Sequence, residues 1–346
     1  MQTRWKQRPP GSTWGDFGPD DQIGRLNLLT PEKVKQGVAE VREGLVFCLS
    51  LPLDYPGGNK LNARRHAPRL APTYREDIPY LNYPLKNVDP QASDVISDDQ
   101  ATLWLQYSTQ WDSLAHVGSW FDADADGVTE RVYYNGYRAD EHVVGPVDYS
   151  GETPRTMGQH VGARTLGIEN YAVKGIQGRG VMVDLHAHFG DARAAVGYED
   201  LMRVLEKDRV TVETGDLLCL HTGFSTIIMR MERNPDMSVL DDACACLDGR
   251  DEKLLAWITD SGIAAICADN YAVELLPAKV KDGTRAALPL HEHCLFKLGV
   301  PLGELWWLSD LAAWLRANAR SRFLLTAPPL RLPGAVGSPA TPIATV

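Results

Sequence analysis

Short apolar runs recur along the chain, separated by longer polar stretches bearing glycine and proline. Residues 45–53, 181–185, 215–223, 263–268 and 323–326 are continuous β-prone runs bounded by glycine, proline or charge, the pattern of buried strands. Helical spacing lies between them. Thr30 is a good N-cap with Pro31 in the first turn, Val34, Val38 and Val41 share one face, and Gly44 stops the pattern. Residues 198–207, 251–260 (through Leu254, Leu255 and Ile258, with Gly262 beyond) and 309–319 read the same way. Strands alternating with helices predict an α/β fold.

Residues 13–30, rich in glycine and aspartate, predict an ordered loop, and residues 1–44 together an N-terminal loop and helix. Residues 59–100 are polar and weakly patterned, so they predict a long functional loop or lid. The cluster Arg64, Arg65 and His66, with Tyr74, Tyr80 and Tyr83, is a candidate substrate entrance. Gly175, Gly178 and Gly180 do not form a dinucleotide loop, because they precede a strand where a phosphate loop must follow one. No repeat or low-complexity linker interrupts residues 1–346, which read as one domain.

Composition narrows the function classes. The chain has 346 residues, 44% of them hydrophobic, enough for a full core. A net charge of −10 without a basic run argues against nucleic acid and favours a small-molecule substrate. The first residues lack the apolar core of a signal peptide, and no uncharged run approaches the ~18 residues of a membrane helix. A cytoplasmic protein with reduced, buried thiols is the expectation for the six cysteines, Cys244 and Cys246 included.

Candidate chemistry concentrates in residues 106–116, QYSTQWDSLAH. In an extended segment Gln106, Ser108, Gln110 and Asp112 point to one side, and a helical turn after Asp112 brings His116 beside it. Ser108 or Ser113 near His116 imitates a Ser–His pair, but the chain has no G-x-S-x-G elbow. His186, His188 and His221 lie in apolar runs and read as structural, while His66, His142 and His160 show no partner in sequence.

The segment resembles the signature of the cyclase family, H-x-G-T-H-x-D-x-x-x-H, which includes bacterial kynurenine formamidase, isatin hydrolase and the cyclases of polyketide clusters. Thr109, Asp112 and His116 match; Gln106 and Gln110 stand where the family has metal-binding histidines, and Ser108 replaces its glycine. Further matching segments are YNG at 134–136, GRGVMVD at 178–184, the GDLLCLHTG of 215–223, the acidic pair Asp269 and Glu274, and residues 288–305. The resemblance implies a swivelling β/β/α fold, with a mixed β core and peripheral helices. It also implies hydrolysis of a small cyclic or aromatic amide, formamide or lactone, arylformamidase-like, by an activated water. The catalytic residues so implied are His116, Glu304 and His291, with His293 the alternative to His291. Asp112, Gln110 and Gln106 are the implied ligands of one divalent cation, manganese, magnesium or zinc; carboxamides in place of imidazoles weaken that site and turn it away from zinc. Trp111, Ser108, Trp120 and Tyr134 are the candidate substrate contacts, and Trp104, Trp306 and Trp307 extend an aromatic wall. A homo-oligomer, dimer or tetramer, is expected by the same analogy. The alternatives are a catalytically altered binding protein and a cation-independent cyclase working by acid–base residues.

Overall fold

The computed structural model describes residues 3–146 and 161–346; His160 lies outside them. One nine-stranded sheet draws its strands from almost the whole length of the chain. In sequence they are β1 (Val46–Cys48), β2 (Gln110–Asp112), β3 (Gln177–Asp184), β4 (Leu217–His221), β5 (Ala265–Ala268), β6 (Leu302–Glu304), β7 (Arg322–Thr326), β8 (Gly337–Pro339) and β9 (Ile343–Thr345). Their spatial order is β1-β9-β7-β3-β4-β5-β6-β2-β8. The central four, β3 to β6, are parallel, and antiparallel strands flank them on both sides. The α/β class with a mixed β core is therefore present, helices packing around the sheet.

The parallel strands are apolar along their length because both faces are covered: Val181, Val183, Leu218, Leu220 and Ile266 are all buried. Helices α1 (Pro31–Val38), α2 (Tyr198–Lys207), α3 (Phe224–Arg230), α4 (Glu252–Ser261) and α5 (Ser309–Ala317) provide much of that cover. The N-terminus of α4 is capped by Asp251, whose Oδ1 accepts from Lys253 and Leu254, and Gly262 closes it at φ 69°.

Helix α1 departs from its hydrophobic pattern. Thr30 caps it, but it ends at Val38, and the buried positions are Lys33 and Gly37, with Val38 53% exposed. Gly37 lies on the backbone of Gly178, where a Cβ would come within 2.7 Å of the carbonyl oxygen. This contact turns Lys33 inward to Asp216, 3.1 Å away. Arg179 donates to both oxygens of Asp216 at 2.9 Å, and the Glu213 amide adds a fourth donor. An ionic tie thus sets the helix face that the valine spacing assigned to an apolar contact.

Residues 59–100 are less irregular than their composition predicts. Three short antiparallel ladders run through them and just past them: Arg69–Pro72 with Asp99–Thr102, Tyr74–Arg75 with Ile78–Pro79, and Tyr83–Pro84 with Val95–Ile96. Backbone pairing without a buried face leaves no apolar alternation to read. Among the described residues, no helix is long and apolar enough to cross a membrane.

Candidate active site

Strand β2 pairs antiparallel with β6, opposing Gln110 to Glu304 and Asp112 to Leu302. Alternation along β2 sends Gln110 and Asp112 to one face and Trp111 to the other. There Trp111 is fully buried, donates to the Ala327 carbonyl at 2.7 Å and meets Trp306 edge to face at 5.1 Å. Trp111 is a core residue with no surface to offer a ligand.

On the polar face, Asp112, His291 and Glu304 are buried and offer ligand atoms within 4.8 Å of one another. His291 sits just ahead of a π-helical segment, Glu292–Leu298, a local widening common at functional sites. Its Nδ1 pairs with Glu274 Oε1 at 2.7 Å and its Nε2 with Glu304 Oε1 at 3.2 Å. Glu274 also accepts from the amides of Leu290 and His291, which fixes the ring from behind. His293 points away, to Thr259 at 3.0 Å. Burial pushes its pKa down to about 4.

The two glutamines present nitrogen, where ligation needs oxygen. Gln106 Nε2 donates to Asp112 Oδ1 and lies 3.1 Å from His116 Nδ1, while Gln110 Nε2 donates to Glu304 Oε2 at 3.0 Å. In this arrangement Gln106 bridges Asp112 and His116, and its amide is a positioning group. Gln110 keeps its Oε1 buried and unpartnered, as is Asp112 Oδ2. His116 Nε2 is 4.0 Å and His291 Nε2 3.9 Å from that Asp112 oxygen, beyond hydrogen-bond reach. The unmet Asp112 oxygen, with the His291 imidazole and the Glu304 carboxylate beside it, forms an oxygen-rich set that fits a hard divalent cation.

The electrostatics of the bare cluster separate the two carboxyls. Burial and neighbouring Glu304 raise the pKa of Asp112. Burial acts on Glu304 in the same sense, but His291, Arg65 and His116 outweigh it and hold Glu304 below its ordinary range. Burial opposes charge on His291 too, yet Glu274 and Glu304 push it up to about 10. A protonated imidazole thus holds the place that a cation is suited to take.

Of the remaining candidates, Ser108 is buried and donates to the Pro52 carbonyl at 3.3 Å. The backbone turns away from the common face on which alternation had placed it. Tyr134 is fully buried against Gly299 and the N-terminal loop. Trp120 is 68% exposed on the outer ladder of Ser119–Phe121 with Glu130–Val132. None of the three lines the cleft that leads to Gln106, whose walls are Gly57, Asn62, Arg65, Tyr107 and Tyr271. Of the entrance candidates only Arg65 lines this cleft, donating to the Gln106 carbonyl; Arg64, His66, Tyr74, Tyr80 and Tyr83 lie outside its walls. Tyr271, held by Asn62 at 2.9 Å, lines both this cleft and a cavity of about 300 Å³ lined further by Phe224, Cys246, Asn270 and Glu274. The sequence pattern had not singled out Tyr271 or Asn62, and had noted Glu274 only as half of an acidic pair.

Comparison with known proteins agrees with this architecture. A family model described as putative cyclase matches residues 49–275. The solved structure of a novel cyclase is 30% identical, with a TM-score of 0.72 over 98% of this chain and 100% of its own. Isatin hydrolase A from Labrenzia aggregata, bound to benzyl benzoate, has a TM-score of 0.52 at 12% identity, covering 91% of this chain and 98% of its own. Its counterpart from Ralstonia solanacearum has the same TM-score at 14% identity, over 91% and 97%. At such identities the two hydrolases share the fold alone. No curated protein matches the chain.

Proposed function

The chain belongs to the putative cyclase family, and from that premise we propose that it hydrolyses a small cyclic or aromatic amide, formamide or lactone at the Asp112, His291 and Glu304 cluster. The observation that carries this reading is the unpartnered Asp112 Oδ2, buried among two histidines and a second carboxylate. A buried carboxylate oxygen without a donor is costly unless something binds it. Asp112, His291 and Glu304 would hold one divalent cation. When bound, it supplies Lewis acidity for polarising a carbonyl and acidifying a water.

The chain's own residues do the rest. His116, 23% exposed and held by Gln106, stands at the mouth of the cluster, where it takes a proton from the attacking water and returns it to the leaving nitrogen or oxygen. Glu304 stays ionised under the influence of His291, and Glu274 orients that ring. Tyr271 and Phe224 offer flat apolar surface for an aromatic substrate, in a cavity of a size suited to one or two rings. A small-molecule substrate and a homo-oligomer are part of the same proposal.

The test is a panel of N-formyl aromatic amines, isatins and simple lactones, assayed with added manganese, magnesium or zinc and after EDTA. Cation-dependent turnover of at least one class, lost in Asp112→Asn, is the expected result. Tight binding of a panel member without turnover under any of these conditions would instead identify a binding protein. Turnover indifferent to EDTA would leave Asp112, His116 and Glu304 as unaided acid–base catalysts.

A further inference from the structure

The carboxyl-terminal edge of the parallel strands carries a second row of polar residues, separate from the cluster above. Asp184 ends β3, His221 ends β4 and Asp269 follows β5. His221 Nδ1 lies 2.8 Å from Asp184 Oδ1, and its Nε2 lies 3.2 Å from Ser309 Oγ, the first residue of α5. Ser309 Oγ is in turn 2.6 Å from Thr226 Oγ1.

Proton positions follow from the chemistry of the partners. Burial opposes charge on His221, but Asp184 and Asp269 outweigh it and raise its pKa. In the neutral ring present above that raised value, ionised Asp184 takes the Nδ1 proton and the Nε2 lone pair faces Ser309. The Ser309 hydroxyl then donates to Nε2, and Thr226 donates to Ser309. His221 is 3% exposed, Asp184 is kept ionised by His221 and by Arg316 at 2.9 Å, and Ser309 and Thr226 are half-buried. Asp269 Oδ2, 4.0 Å from His221 Nε2, is a second carboxylate favouring the imidazolium that forms when His221 takes a proton. The first-turn amides of α5 lack intrahelical acceptors, and no side chain caps them.

A groove of about 380 Å³ adjoins this row. Asp184, Arg316 and Ala312, one turn beyond Ser309 on the same helix, line it, and Lys207 and Arg209 add cationic side chains. Its other carboxylate, Asp208, is taken by His188 at 2.8 Å.

We propose that Ser309, His221 and Asp184 form a second, nucleophilic site acting on a small carboxylic ester that bears an anionic group. Ser309 Oγ adds to the ester carbonyl carbon as its proton passes to His221 Nε2. The bond to the alcohol oxygen breaks with transfer of that proton to it, leaving acyl-Ser309 and free alcohol. Water then adds to the acyl carbon, giving a proton to His221, which returns it to Ser309 Oγ as the carboxylic acid departs. The first-turn amides of α5 are the donors placed to receive the carbonyl oxygen, and the cationic groove receives the anionic end.

Full-length protein mixed with p-nitrophenyl hemisuccinate should release a burst approaching one p-nitrophenol per chain, with succinyl located on Ser309 by peptide mass. The burst should survive EDTA, which separates it from the cation-dependent reaction proposed above. Ser309→Ala should abolish burst and adduct, and His221→Gln should slow acylation by ~10²–10⁴. Ser309→Cys, which restores a nucleophile in place, should regain an adduct at that position, so loss in the alanine variant is not read as misfolding. Neutral p-nitrophenyl acetate should acylate roughly ten-fold more slowly. An adduct elsewhere, or no adduct on folded wild-type protein, overturns the site. Equal rates for the two esters overturn its anionic preference.

Discussion

Two buried ionic clusters sit at opposite ends of the central strands, and they are built on opposite terms. Asp216, just ahead of β4, receives Arg179 on both oxygens, Lys33 and the Glu213 amide, so every oxygen is answered by a donor. Asp112, on β2, is as deeply buried but has one oxygen answered by carboxamides and the other by nothing. The first cluster ties α1 to β3 and β4. The second is open toward a ligand, and its unmet acceptor is what fits it for function. Burial of charge alone does not distinguish structure from chemistry; the completeness of the hydrogen bonding does.

The largest expected effects follow from exchanging the roles of the two aspartates. His116→Ala and Asp112→Asn should each lower turnover by ~10²–10⁴ while the melting temperature stays near that of the wild type. Asp216→Ala should do the reverse. It leaves Arg179 and Lys33 only the half-exposed Glu213 carboxylate, 2.8 and 3.8 Å away, and a broken buried pair costs about 3–5 kcal/mol, which a denaturant melt would read directly. If Asp216→Ala melted like the wild type, the closed cluster would not be the tie described here.

A smaller effect separates the clusters by pH. In the cation-free protein His291 titrates at about 10 against an unfolded value of 6.5, so the native state holds its proton more tightly than the unfolded chain. Its stabilising contribution is complete below pH 6.5 and is lost as pH rises toward 10. The raised Asp112 acts in the same sense, and Glu304, shifted down from 4.5, titrates below this window. Melting temperatures of EDTA-treated protein should therefore fall across pH 6.5–10, and less so in His291→Gln. The smallest effect belongs to the cap of α1: Thr30→Ala should cost about 1 kcal/mol and leave turnover unchanged, because it loosens only the closed cluster.

Much of the fold is legible in the residues because it depends on local patterns. The runs at 181–185, 215–223 and 323–326 become strands, and those at 198–207, 251–260 and 309–319 become helices, since period and capping suffice to specify them. The site is legible in part. Asp112 and His116 stand out by type and spacing, His291 and Glu304 follow from the family resemblance, and the structure brings the four together. Which nitrogen or oxygen a glutamine presents is a matter of three-dimensional partners, so Gln106 and Gln110 read as oxygen ligands when their amides face the carboxylates. Trp111 illustrates a different limit, as one residue step along a strand separates a buried core indole from the polar face of Asp112. The face of α1 was misleading because an ion pair, Lys33 with Asp216, outranks the valine stripe. Tyr271 and Asn62 carry no motif at all, and only the packing of the long loop against the site gives them a place.

The most direct test of the open cluster is a calorimetric titration of manganese into EDTA-treated full-length protein at several pH values. One equivalent should bind, with proton release as His291 gives up its proton, with tighter binding as pH rises toward 10, and with loss of binding in Asp112→Asn. No binding in the folded protein, or binding that is unchanged in Asp112→Asn and indifferent to pH, would contradict the account.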